Sequence, residues 1–237
     1  MKVLKKEISK DYDRIFSTHG LRTETSYYRW IISILGDMNS KALLDISCGE
    51  GILLAEAAKQ GARTFGVDIS QEALKRTRAS SPDSCLALSD GEKVCLGPRA
   101  KFDYITCLGS LEHYNYPEEG CREIVRLLKP DGKAVVVLPN EFSMHVLLDV
   151  LFKGRSGDDG FQIIEKLASF GQWKKFLEAN GLKMLKAYKV NERPVFWRDR
   201  KIRSFSKFLR NLWFYYLTPF YFARTFAFLC EKKDKYV

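Results

Sequence analysis

At 237 residues and 46% hydrophobic content, the chain has material for one large α/β domain, with little left for a second, and global disorder is excluded. The net charge of +10 is unevenly placed: residues 1–182 hold 25 basic and 25 acidic side chains, residues 183–237 hold 14 and 4. The six cysteines form no C-x-x-C pair and do not cluster with the three histidines, which argues against zinc and for a reducing, cytoplasmic setting. The opening Met1-Lys-Val-Leu-Lys-Lys-Glu7 carries no apolar leader pattern, and no run of 18 apolar residues predicts a membrane span.

Residues 1–40 read as helical, with apolar residues at helical spacing over 12–16 and 26–35 and Gly36 as a stop. The apolar run 42–46 predicts a buried strand that ends in a small-residue turn, followed by a helix from Ile52. Gly49 and Gly51 let the backbone turn sharply and let a ligand approach it. N–H groups at the helix start suit an anionic group such as a carboxylate, and Asp45 can accept from a cationic or hydroxylated ligand. A second strand over 63–69 ends in Asp68, 17 residues past Gly51, where nucleotide-binding α/β folds place an acid on a ribose diol. A dinucleotide fingerprint needs glycines at 47, 49 and 52. Ser47 and Ile52 stand there, so the NAD reading fails on spacing.

A helix over 70–78 takes Ser70 as its N-cap. The third strand, 85–89, runs into Asp90-Gly91, where the carboxylate either accepts an adenine amino group or caps the turn. The fourth, 101–108, leads into Leu108-Gly-Ser-Leu-Glu112-His113, and a helix over 117–128 has Pro117 in its first turn. A turn at 129–132 precedes a fifth strand over 133–138. Helices are expected around 144–152 and 161–167, with a polar loop, 153–160, between them. Ser169 and Gln172 form a capping-box pattern for a helix through Asn180, closed by Gly181, and 182–190 and 225–231 read as the last strands.

The strand-loop-helix at 41–52 resembles the first motif of the class I S-adenosylmethionine (SAM) methyltransferases, a hydrophobic strand followed by D-x-G-x-G-x-G. Ser47 stands where that motif has its first glycine, which bears on the tightness of the loop. The stretch F-D-x-I-x-x-L-G-S-L-E-H, the acidic helix, R-x-L-K-P-x-G and the valine-rich strand are similar to a bacterial-type branch acting on small molecules, including sugar-bearing precursors. The resemblance covers 41–140 closely. It implies a Rossmann-like three-layer sandwich with a mostly parallel seven-stranded sheet and an antiparallel carboxyl-terminal edge pair. By the same resemblance 1–40 is a helical cap, 41–140 the cofactor core, 141–190 substrate-side structure, 191–222 an insert and 223–237 the last strand and tail, all one domain. It further implies that Asp45, Ser47, Gly49, Gly51, Asp68, Ile69, Asp90, Gly91, Leu108 and Tyr12 hold SAM, with Arg22 and Arg29 as candidates for its carboxylate.

His113 lies just beyond the fourth strand, where the methyl donor should point. Histidine titrates near neutrality and suits a general base, with Glu112 as its partner; the other reading is a group that packs beneath the cofactor. His19 and His145 read as structural, Asp158-Asp159 as a solvated loop, and no metal site is expected. Residues 191–222 hold 11 aromatics and 7 Lys/Arg, and an apolar stripe at Phe205, Phe208, Leu209, Leu212 and Trp213 fits an interfacial helix. That insert reads as a packed layer or lid, as a peripheral contact with anionic membrane, or as a nucleic-acid platform. Nucleic acid is disfavoured as substrate, because no Asn/Asp-Pro-Pro-aromatic motif follows the fourth strand and Cys107 sits inside it. The expected activity is O-methylation of a small molecule or of a sugar-bearing or lipid-linked precursor. The motifs leave open a non-catalytic SAM binder or a membrane- or RNA-docking module on the same fold; turnover separates them.

Overall fold

The computed structural model describes residues 2–18, 25–154, 166–190 and 216–233. Helices α1 (Lys2–Thr18) and α2 (Thr25–Leu35) lead in, α1 running well beyond the 12–16 segment. Then come β1 (Ala42–Ile46), α3 (Ile52–Ala58), β2 (Arg63–Asp68), α4 (Gln71–Ser80), β3 (Cys85–Leu88), β4 (Phe102–Leu108), α5 (Pro117–Leu127) and β5 (Leu128–Pro139). The chain continues with α6 (Met144–Lys153), α7 (Phe170–Ala179), β6 (Leu182–Val190) and β7 (Thr225–Lys232). The interfacial helix expected near 203–213, most of the 191–222 insert, the 155–165 stretch, Arg22 and His19 lie outside the described residues.

The strands form one sheet in the order β3-β2-β1-β4-β5-β7-β6. Pairings from β3 to β5 are parallel, and β7 runs antiparallel between β5 and β6. This is the expected mostly parallel seven-stranded sheet with an antiparallel edge pair. Central strands are buried on both faces, which is why they read as continuous apolar runs. Side chains alternate between two clusters: Leu43, Val135, Val137 and Ala227 join α2 and α3, while Leu44, Val136, Leu138 and Phe226 join α5 and α7.

Local signals hold at the helix starts. Ser70 Oγ accepts the Ala73 N–H at 3.1 Å, and Ser169 and Gln172 form a complete capping box. The fifth strand differs from expectation. It begins at Leu128, and the 129–132 turn is a bulge inside it, because Leu128 pairs with Phe102 and Lys133 with Tyr104. Lys129 closes the bulge by reaching the Asp103 carboxylate at 2.8 Å.

At the antiparallel edge, Phe228 is fully buried, stacked on Phe170 with ring centroids 5.5 Å apart and 6.0 Å from Phe226. Phe228→Ala is expected to lower stability by about 3–5 kcal/mol. Urea unfolding checks this; a loss below about 1 kcal/mol would contradict the packing described.

Candidate active site

Strand order reverses at β1, whose neighbours are β2 and β4, so the loops leaving these strands diverge and leave a crevice at their carboxyl ends. A cleft of about 320 Å³ occupies it. Of the eleven residues singled out in the sequence, Tyr12, Asp45, Ser47, Gly49, Asp68, Ile69, Asp90, Gly91, Leu108 and His113 line the cleft. Gly51 does not. A Cβ there would lie 2.4 Å from Thr77 Cγ2, so this glycine faces α4 behind the loop.

After β1 the chain turns through Ser47 (φ +60°), Gly49 (φ +55°) and Gly51 (φ +70°). Left-handed backbone is open to glycine but costs other L-residues about 1–2 kcal/mol, so Ser47 is the strained member of the three. The Gly49 N–H donates to Asp68 Oδ2 at 2.9 Å and the Ser70 N–H to Asp68 Oδ1 at 2.8 Å. Asp68 is therefore anchored through both oxygens. Helix α1 closes one side of the cleft. Ser9 Oγ donates to the Ile69 carbonyl at 2.9 Å, and Asp13 Oδ1 accepts from Ser70 Oγ at 2.6 Å and from the Glu72 N–H at 3.2 Å.

Burial pushes Asp45 up to about 7, opposed by the Thr106 hydroxyl (2.7 Å from Oδ1) and reinforced by the negative charge of Asp68. Burial likewise pushes Asp68 up to about 6 against its N–H donors, with Asp13 reinforcing the shift. The Tyr12 hydroxyl goes up to about 12 through burial, then Glu112 and Asp68. Asp90 Oδ1 accepts the Glu92 N–H at 2.9 Å, so the turn cap is present in a residue that also borders the cleft.

His113 ends a short 3₁₀ turn, Leu111–His113, with Nε2 3.7 Å from Glu112 Oε1. Arg29 pairs with Glu56 at 2.5 Å and His145 lies 3.9 Å from Asp149; neither lines the cleft. Cys107 is buried within β4 and burial pushes its thiol up, away from a nucleophile's range. Among the described residues no His/Cys/Asp/Glu group could hold a metal. Sequence reasoning missed Phe16, Glu92 and Tyr114 as lining residues. Phe16 lies one turn beyond Tyr12 on the same face, a signal that could have found it; the other two carry none.

Two buried carboxylates with raised proton affinity, one of them the anchored acceptor at the end of β2, fit a cationic nucleoside such as SAM. Residues 44–136 match the family model described as a methyltransferase domain. A ubiquinone biosynthesis O-methyltransferase of Alkalilimnicola ehrlichii is 26% identical over 65% of this chain and 61% of its own length. Another protein of that name, from Idiomarina loihiensis, is 35% identical over 39% of this chain and 40% of its own. The chain thus spans less than two thirds of either relative. Among solved structures, magnesium protoporphyrin IX methyltransferase from Synechocystis with bound S-adenosylhomocysteine superposes with a TM-score of 0.64 at 14% identity, covering 98% of this chain and 99% of that one. A SAM-dependent methyltransferase from Archaeoglobus fulgidus gives 0.63 at 20% identity, covering 88% and 92%. Fold and matched segment agree: the chain has the fold of these SAM-dependent methyltransferases, and its residues 44–136 match a methyltransferase-domain model.

The raised acids give a pH signature. Asp45 holds its proton to about 7 when folded, so the stability it contributes is complete below the unfolded value and is lost as pH rises through about 7; Asp68 behaves alike up to about 6. Asp45→Asn keeps an acceptor for Thr106. In the unliganded protein it should gain stability relative to wild type as pH rises from about 4 to about 7 and keep that gain above it, measured as urea midpoints. A pH-independent difference would contradict the assignment.

Proposed function

We propose that this protein is a SAM-dependent O-methyltransferase acting on a small-molecule hydroxyl. The observation that supports it best is the Asp68–Asp45 pair: an anchored carboxylate and a second buried acid share one cleft, with no Lys or Arg among the described residues that line it. Bound SAM supplies a methyl group already activated by a sulfonium. In this reading Asp68 accepts from the ribose hydroxyls, Asp90 and Gly91 border the adenine, Ile69 flanks it as an apolar wall, and Leu108 lies along the methionine arm. Asp45, Ser47 and Gly49 border the methionine arm, and Tyr12 closes the cleft from α1. The chain's main task is orientation, which can supply roughly 7–11 kcal/mol of barrier lowering.

A hydroxyl acceptor must also lose its proton. His113 takes it on its imidazole, and Glu112, 3.7 Å from Nε2, stabilises the imidazolium formed. The hydroxyl as acceptor group follows the two O-methyltransferase relatives. Asp68→Ala should abolish SAM binding in a calorimetric titration, and an unchanged dissociation constant would sink the cofactor assignment. His113→Ala should cut methyl transfer by about 10²- to 10⁴-fold while SAM still binds; weakened SAM binding instead assigns His113 to the cofactor side. Because a cation favours ionised Asp45 and Asp68, wild-type SAM affinity should rise as pH passes through about 6 to about 7.

The surface beside the antiparallel edge favours peripheral contact with anionic lipid. Tyr216, Leu217 and Tyr221 are all more than half exposed, and Leu151 and Phe152 protrude from α6. Asn140 joins the two segments: its side-chain amide donates to the Tyr221 and Ala223 carbonyls, and its oxygen accepts the Phe142 N–H. In sequence, residues 183–237 hold 14 basic and 4 acidic side chains, the sign of charge that anionic lipid attracts. Vesicles rich in phosphatidylglycerol should co-sediment the protein at low salt and release it at high salt, with phosphatidylcholine alone inactive. Equal behaviour on both would remove the membrane reading. No helix among the described residues is long and apolar enough to cross a membrane.

A further inference from the structure

Ser47 and Tyr114 are 67 positions apart, yet their hydroxyls share a hydrogen bond at 3.0 Å beneath the cleft. Ser47 is there because the loop after β1 turns left-handed at φ +60°, a conformation that glycine adopts unaided. Tyr114 is held from several directions. The Lys166 ammonium donates to the carbonyls of Tyr114 and Asn115, and Glu92 Oε1 accepts the Asn115 N–H at 2.7 Å.

The ring fits only because two neighbours lack side chains. A Cβ on Gly91 would fall 1.9 Å from the Tyr114 hydroxyl, and one on Gly120 would fall 2.7 Å from the ring. Gly91 was singled out as a cofactor contact; it also makes room for this tyrosine. The hydroxyl therefore emerges between the turn after β3 and the loop after β1, with Cys107 Sγ 4.0 Å away. Burial keeps the phenol protonated, its ionisation pushed well above the ordinary tyrosine value, so a donor proton is always present in the pair.

We propose that Tyr114 is a positioning residue for the cofactor loop: its hydroxyl tethers Ser47 in a left-handed turn that a glycine would hold alone. The tether sets the path of the 47–49 backbone, and with it the Gly49 N–H that anchors Asp68. This inference rests on the reading of the cleft as a SAM site, and it adds a dependence that a glycine at position 47 would not have.

The test is a double-mutant cycle of Tyr114→Phe and Ser47→Gly, with SAM and S-adenosylhomocysteine titrated calorimetrically into all four proteins. Tyr114→Phe removes one oxygen and keeps the ring that fills the space over Gly91 and Gly120. In the Ser47 protein it should weaken SAM binding by roughly 3- to 10-fold, the size of one net hydrogen bond. In the Ser47→Gly background the same change should cost less than about 2-fold, whatever Ser47→Gly does by itself. Equal losses in both backgrounds, or no loss in either, overturn the tether. If wild type binds neither ligand, the cofactor reading fails separately, and the cycle is then read in thermal unfolding of the unliganded proteins. There a smaller drop from Tyr114→Phe in the Ser47→Gly background upholds the tether, and equal drops reject it.

Discussion

The Asp68 carboxylate is the interaction on which the rest of the cleft depends. It receives one N–H from the loop after β1 and another from the start of α4, so a single side chain joins two crossovers of the sheet. Ser70 extends the junction by capping α4 and donating to Asp13, which brings α1 down onto the same point. Three segments far apart in sequence are thus fixed by a group that burial makes reluctant to ionise. Such a carboxylate is expensive in an empty protein and well matched to a cation. That mismatch is the physical content of the candidate site.

The sheet explains why the site lies where it does. Parallel strands send their loops to one edge, and only between β1 and β4 do successive connections leave in opposite directions. The antiparallel edge contributes differently. The Trp173 indole donates to the Pro139 carbonyl, and Asn140 ties the end of β5 to residues 221–223, so this rim is braced by buried polar contacts. Beside that brace, apolar side chains of α6 and of residues 216–222, among them Phe152 and Tyr221, stay exposed.

Glycine-rich loops are usually explained by the freedom of their backbone, and here that explanation divides. Gly49 is left-handed and lines the cleft, whereas Gly51 is left-handed and pressed against Thr77. Gly91 is not left-handed at all; it is small because a tyrosine occupies the place of its Cβ. Ser47 reverses the pattern, taking a glycine's conformation with a side chain that finds a partner. The same residue type can therefore serve rotation, packing or clearance, and only neighbours tell which.

Much of the architecture was legible beforehand, because its causes are local. Apolar runs marked the buried strands, Ser70 and the Ser169–Gln172 box marked helix starts, and acids at strand ends marked the rim of a crevice. The 129–132 turn was visible too, but not that pairing of Leu128 with Phe102 would make it a bulge within a strand. What the sequence could not show are contacts made across 57 to 67 positions: Asp13 on Ser70, and Tyr114 on Ser47. Period and propensity act over a turn of helix or a pair of strand residues, so by itself the sequence determined which elements form and which residues end them. The raised proton affinities of Asp45 and Asp68, the orientation of Gly51 and the tether beneath the loop arise from burial and packing between elements. Those only the tertiary structure decided, since desolvation and steric contact exist only once distant segments have met.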